Sequence, residues 1–417
     1  MSSFKKANIL LPKNIDMTKW CVVACDQFTS EPDYWNEVSE IAKDSYSTLN
    51  LIYPEIYLSE GDKRIKAINE SMQKYIDDKI FAEFSDTLIY LERRLDSGKV
   101  RRGIIGAIDL EDYSFQKGSG SNVRATEGTV LERIPPRVKI RENAPMEFPH
   151  IMILIDDPEK NIIEPLQTKT KAFEKLYDFD LMQKGGHAAG YKISDSDADE
   201  ILEKLDLLSS EEIFNAKYNI KNAPLLTFAV GDGNHSLATA KTCWENIKAN
   251  LSEEEQKTHP ARYALVELVN LHDDSLEFEP IHRVVFDVNP EEMYASLLKF
   301  YPESSENDNG GKMIICTWGN VEKKVWIKDS NNNLVVGSVQ DFIDSYLKEN
   351  GGSVDYIHGD AVVRDLSSKE NNFGVLLPAM EKSELFKTVI LDGALPRKTF
   401  SMGEACEKRY YIEGKYI

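Results

Sequence analysis

Long apolar runs are missing from this 417-residue chain, and none approaches the about 20 residues that a membrane-spanning helix needs. No membrane partner is therefore expected. Cysteine is scarce: Cys21, Cys25, Cys243, Cys316 and Cys406 are five, an odd number, scattered and without a Cys-x-x-Cys pair. That argues against a disulfide framework and fits reduced thiols in a cytoplasmic protein. The start of the chain lacks a basic patch followed by an apolar run and a cleavage site, so no signal peptide is expected. Basic residues are in deficit, 50 Lys and Arg against 70 Asp and Glu, giving a formal net charge of −20. Broad nucleic-acid binding rests on Lys and Arg neutralising phosphates, and this balance argues against it. A local basic pocket stays open, because a site feels nearby charges more than the sum. There is no internal repeat, and no Gly-Lys-Ser/Thr ending of a Walker A loop.

What is present is ordinary soluble composition, 41% hydrophobic and 29% charged, in a chain longer than one core usually grows. Two domains are expected: 1–288, a main α/β domain, and 289–417, a smaller α+β domain whose last segment returns to the main site. Apolar β-rich runs predict strands at Trp20–Cys25, Arg102–Ile108, His150–Ile155, Leu225–Val230, Tyr263–Val269, His282–Phe286, Met313–Trp318 and Lys323–Ile327. Three-and-four spacing and start signals predict helices from Pro32 and over Asp62–Ile80, Thr87–Leu95, Lys171–Tyr177, Asp197–Leu208, Leu237–Trp244, Glu291–Phe300 and Ser338–Leu347. Strands alternating with helices give an α/β, mixed α+β fold class.

The most informative stretch is Gly231-Asp232-Gly233-Asn234-His235-Ser236, between an expected strand and an expected helix. Its glycines allow amide N–H groups to turn toward one point, and a helix N-terminus adds free donors and partial positive charge. Together these favour an anion such as phosphate; the bland alternative is a plain structural turn. Asp232 and His235 add a carboxylate and an imidazole, and with His187 would be a conceivable metal set. Nothing in the sequence brings His187 near, so no metal site is assigned.

A second cluster is Arg124-Ala125-Thr126-Glu127-Gly128-Thr129, followed by Arg133, Arg137, Lys139 and Arg141. Arg137 and Arg141 are four apart and share a face, suited to phosphate or carboxylate, or simply solvated. Glu127 among arginines stays ionised and could accept a proton or bind Mg²⁺. Smaller signals are Lys184–Gly190 with His187, Pro280-Ile281-His282-Arg283, and the basic, hydroxyl-rich loop Pro396–Gly403.

Together with Ala24-Cys25-Asp26-Gln27-Phe28, these segments resemble a bacterial family of unknown function, DUF1015, sometimes labelled SpoOJ/ParA/ParB/RepB-like. The family's central motif, usually Ala-Asp-Gly-His-His-Arg, is similar to the turn before a helix in ParB, sulfiredoxin and free-serine kinases. The resemblance implies ParB/sulfiredoxin-like elements in a larger mixed-sheet domain. It makes Gly231, Asp232, Gly233, Asn234, His235 and Ser236 a phosphate turn. Asn234 and Ser236 stand where His and Arg are usual, so Arg124, Arg137, Arg283 or Arg397 is expected to supply the missing charge. The resulting expectation is an enzyme that binds ATP or ADP with Mg²⁺, or another phosphorylated small molecule, and transfers a phosphoryl group. Asp232, His235 and Glu127 would be its catalytic residues. The alternative is a non-catalytic ligand-binding regulator, or a ParB-like DNA-associated protein.

Overall fold

The computed structural model describes residues 3–220, 222–329 and 331–417; the side chain of Arg133, expected in the basic run, lies outside this description. Two compact units are present, Met1–Leu276 with Glu404–Ile417, and Glu277–Gly403. Both mix helices and sheets, so the fold is mixed α+β.

The first unit is built on a ten-stranded sheet. In order across it run Glu174–Asp180, His187–Lys192, Ile89–Arg94, Val100–Asp109, Tyr263–Asn270, Met152–Ile155, Phe228–Asp232, Val123–Ala125 and Tyr113–Ser114, with Phe4–Lys5 paired to Val100–Asp109. Alternate residues of the central strands serve opposite faces. Ile89, Leu91, Ile105, Ala107 and Leu265 enter one core, whereas Leu88, Tyr90, Ile104, Ile108, Ala264 and Val266 enter another. A sheet covered on both faces reads as a nearly continuous apolar run, because both phases of the period of two are buried.

That masking explains the first of three differences from expectation. Thr87–Leu95, expected to be helical from its leucine spacing, contains the strand Ile89–Arg94, hydrogen-bonded on both sides. Lys171–Tyr177 yields to the edge strand Glu174–Asp180, where Tyr177 and Phe179 are buried and Glu174, Asp178 and Asp180 are exposed. A third difference lies at Trp20–Cys25, expected to be a strand. Trp20 ends the short helix Met17–Trp20, and the following residues pair only at the bridge Val23↔Tyr410. The chain's last segment holds them there: Tyr411 N–H donates to Val22 O (2.9 Å) and Ala24 N–H to Arg409 O (2.9 Å).

The last segment is itself anchored by buried charge. Arg409 donates to Glu413 (2.8 Å) and lies 3.4 Å from Glu267, which also accepts from Arg101 (3.3 Å). Tyr177 donates to Glu413. Gly103 makes room for this network, since a Cβ there would meet Glu267 Cγ at 2.8 Å.

In the second unit the sheet order is Val321–Ile327, Lys312–Trp318, Asn372–Leu376, Phe278–Phe286, Ser353–His358. Helices Pro290–Phe300, Val335–Asn350, Asp360–Ser367 and Lys382–Asp392 accompany it.

Candidate functional site

The strand Phe228–Asp232 runs parallel to Val123–Ala125 and antiparallel to Met152–Ile155. Its C-terminal end therefore lies beside the residues that follow Ala125 and those that precede Met152. The parallel register puts Val230 opposite Ala125, two residues before Glu127, and the Thr126 hydroxyl donates to Val230 O (2.7 Å). Ligands in open α/β sheets gather at such strand ends.

Gly231 sits in a bulge where the register steps from Val230↔Ile153 to Asp232↔Met152, and a Cβ there would meet Leu154 Cγ at 2.8 Å. Bulges of this kind re-aim the next side chain. Gly233 adopts φ +79, a left-handed conformation that side chains resist, and begins the helix Asn234–Lys248. Among the described residues no side chain caps this helix; the Gly233 amide donates to Asp232 Oδ1 (2.8 Å). Val130 N–H donates to His235 Nε2 (3.4 Å), which brings the segment after Glu127 against the helix start. Two buried polar atoms there, Asn234 Oδ1 and Thr129 Oγ1, have no hydrogen-bond partner among the described residues.

Further side chains converge from segments with no motif of their own. Lys408 Nζ lies 3.4 Å from Asp232 Oδ2, the two side chains being 16% and 21% exposed. Asp26, 35% exposed, accepts from Gln27 (2.9 Å) and faces His150 Nε2 at 4.0 Å. Burial pushes the Asp26 carboxyl up, but His150, the Gln27 amide and the field of Lys408 outweigh it and hold it below the ordinary carboxylate value. Beside it, burial and the Asp26 charge push the Cys25 thiol up to about 12, so this cysteine is not a ready thiolate. Phe28 closes the Asp26 turn at φ +52, unusual for an aromatic residue, and stacks on Tyr34 at 3.7 Å.

The arginines expected at the turn have other tasks. Arg124 is buried and donates to the carbonyls of Ser121 (2.8 Å), Pro224 (2.8 Å) and Leu225 (2.7 Å); burial lowers its pKa to about 10. It is a clamp between loops, where a phosphate ligand was expected. Arg137 and Arg141 do share the helix Ile134–Arg141, yet Glu55 takes the first and Glu147 (2.8 Å) the second. Arg283 and Arg397 belong to the second unit. Arg283 is fully buried and donates to Ile281 O, Lys398 O (3.0 Å) and Arg397 O (3.0 Å), fixing the Arg397–Lys398 loop. Arg397 reaches Asp344 at 3.5 Å. His187 lies at the opposite side of the sheet between Asp178 (2.7 Å) and Asp180 (2.8 Å), away from Asp232 and His235. Among the described residues, the turn has a cation beside it in Lys408, which no local sequence signal marked.

The family described as protein of unknown function (DUF1015) matches residues 9–388. The chain belongs to this family. No curated protein matches it. Among solved structures, free serine kinase in complex with AMP is 11% identical, with TM-score 0.36 over 74% of this chain and 89% of that one. SbnI with C-terminal truncation from Staphylococcus aureus is 8% identical, with TM-score 0.36 over 72% and 82%. A conserved hypothetical protein from Pyrococcus furiosus is 10% identical, with TM-score 0.34 over 73% and 91%. The chemistry assigned to this DUF1015 member therefore rests on its own geometry.

Proposed function

We propose that this DUF1015 protein is an enzyme that binds a nucleotide or a phosphorylated small molecule and transfers a phosphoryl group to a small acceptor. The observation that carries the reading is the uncapped start of the Asn234–Lys248 helix, set behind a left-handed Gly233 and beside Lys408. First-turn amides of Asn234 to Ser236 hold phosphate oxygens, and Lys408 takes the neutralising part expected of an arginine. The orphaned Asn234 Oδ1 and Thr129 Oγ1 offer hydrogen-bonding positions to the ligand.

Phosphoryl transfer asks a protein mainly to position groups and neutralise charge. The acceptor hydroxyl gives its proton to a carboxylate as its oxygen bonds the terminal phosphorus. The phosphorus–oxygen bond to the nucleotide breaks, and its electron pair leaves with the nucleotide. Asp26 is the best-placed proton acceptor, being ionised and beside a cation. Asp232 and Glu127 lie at the same strand end, and His235 is a donor to phosphate. Asp232 and Glu127 are hard oxygen donors of the kind Mg²⁺ prefers when it arrives with phosphates, and the ion would neutralise charge there.

ADP or ATP with Mg²⁺ is expected to raise the melting temperature, and Gly233→Val to abolish the rise. A Val Cβ at φ +79 also meets Ile151 Cα at 3.0 Å, so Lys408→Met, which leaves the backbone alone, serves as the second variant. No shift with any of a panel of nucleotides and phosphorylated metabolites would overturn the reading.

A further inference from the structure

Tyr411 brings two contacts to one oxygen. The Cys25 backbone N–H donates to Tyr411 Oη at 2.9 Å, and the same oxygen lies 2.8 Å from His150 Nδ1. The phenol is buried, and burial pushes its pKa well above the ordinary value, so it keeps its proton. A buried hydroxyl proton without an acceptor is costly. The Cys25 backbone N–H is a donor here, and the Cys25 thiol beside the phenol is only a weak acceptor, so the proton goes to His150 Nδ1. For the neutral form of the ring, this accounting puts the lone pair on Nδ1 and the proton on Nε2. Nε2 is the atom that faces Asp26 Oδ2 at 4.0 Å, while Gln27 holds Oδ1 at 2.9 Å.

We propose that Tyr411 and His150 form a positioning relay for Asp26, in which Tyr411 sets the imidazole tautomer and His150 presents Nε2–H to the carboxylate. The relay keeps one Asp26 oxygen oriented and ionised for the acceptor-hydroxyl proton. The role given to Asp26 rests on the phosphoryl-transfer reading; the tautomer does not. Three distant segments supply the parts, and backbone bonds from Tyr411 to Val22 and from Ala24 to Arg409 lock two of them together. The 4.0 Å approach of His150 to Asp26 is longer than a hydrogen bond. Catalytic hydrogen bonds of this kind are often long without substrate and tighten with it.

Histidine-selective ¹⁵N NMR of the full chain tests the relay. His150→Gln removes one set of ring signals and so assigns them among the seven histidines. If that variant does not fold, Tyr411→Phe supplies the assignment, because it should shift the His150 ring alone. In the wild type, Nε2 is expected to carry the proton and Nδ1 to be bare. In Tyr411→Phe the fixed tautomer should be lost, and the Asp26 carboxyl, followed by ¹³C, should titrate at higher pH. A proton on Nδ1 in the wild type, or a Tyr411→Phe spectrum unchanged at His150, would overturn the relay. Titration with ADP and Mg²⁺ on the same wild-type sample separates the two claims. The expected tautomer with no binding of ADP, or of the panel of nucleotides and phosphorylated metabolites, overturns the phosphoryl-transfer reading and leaves the tautomer standing. Nucleotide binding with the inverted tautomer overturns the relay alone.

Discussion

At the scale of single residues, charge pairing decides which side chains are available for chemistry. Arg124, Arg137, Arg141 and Arg283 are conspicuous in an acidic sequence, yet each is held by carbonyls or a carboxylate of its own unit. Their acceptors are backbone oxygens and two glutamates, Glu55 and Glu147, that no linear motif displays, so sequence alone overstated their part. Asp26 and Lys408 were understated for the same reason, since their meaning comes from neighbours brought in by the sheet. A further residue-scale consequence concerns Glu164. Burial raises its pKa above the ordinary 4.5, Asp157 and Asp273 adding to it, although Asn270 donates to one oxygen (2.9 Å). The folded state thus holds this proton more tightly than the unfolded chain. Its stabilising contribution is complete below pH 4.5 and is lost as pH rises through the folded value. Glu164→Gln is therefore expected to be more stable than the wild type at pH 7, with the difference vanishing toward pH 4. Urea denaturation at the two pH values measures it, and equal stabilities at pH 7 would refute the burial argument.

At the scale of elements, the strand–turn–helix from Phe228 to Lys248 was legible because its parts are local: a β-rich run, two glycines, then helical spacing. The bulge at Gly231 was not legible, since it exists only against Met152–Ile155. The strand Ile89–Arg94 was misread because a sheet buried on both faces hides its period of two. The terminal segment Arg409–Glu413 carried no element signal, because its order comes from buried ion pairs with Glu267 and from the chain near Val22. Removing one partner of a buried network leaves the others uncompensated. Arg409→Met should cost about 3–5 kcal/mol, read from the denaturant midpoint. A loss within the usual surface range, below about 0.5 kcal/mol, would mean the network contributes little.

At the scale of the whole molecule, mixed α+β architecture follows from composition and patterning, while the division into units depends on pairing at a distance. The first unit takes both ends of the chain, and the second is closed by Phe278–Pro280 pairing with Phe400–Met402. The expected boundary near 288 follows a change in local pattern; the compact division falls at Leu276, within the approach to that strand. A fragment 277–403 should fold alone with a cooperative thermal transition, whereas 1–276 without 404–417 should not, because Val22, Ala24 and Glu267 lose their partners. Circular dichroism melts of the two fragments check this. The net charge of −20 is no obstacle to the proposed site, because the Lys408 charge is local.

Calorimetric titration of the full chain with ADP and with ATP, each with Mg²⁺, bears most directly on the phosphate turn. Saturable binding is expected, weakened about tenfold or more by Lys408→Met through loss of one charge-assisted contact, and abolished by Gly233→Val. No binding by the wild type to either nucleotide or to a panel of phosphorylated metabolites, or undiminished binding by a folded Lys408→Met, would contradict a phosphate site at the start of the Asn234–Lys248 helix.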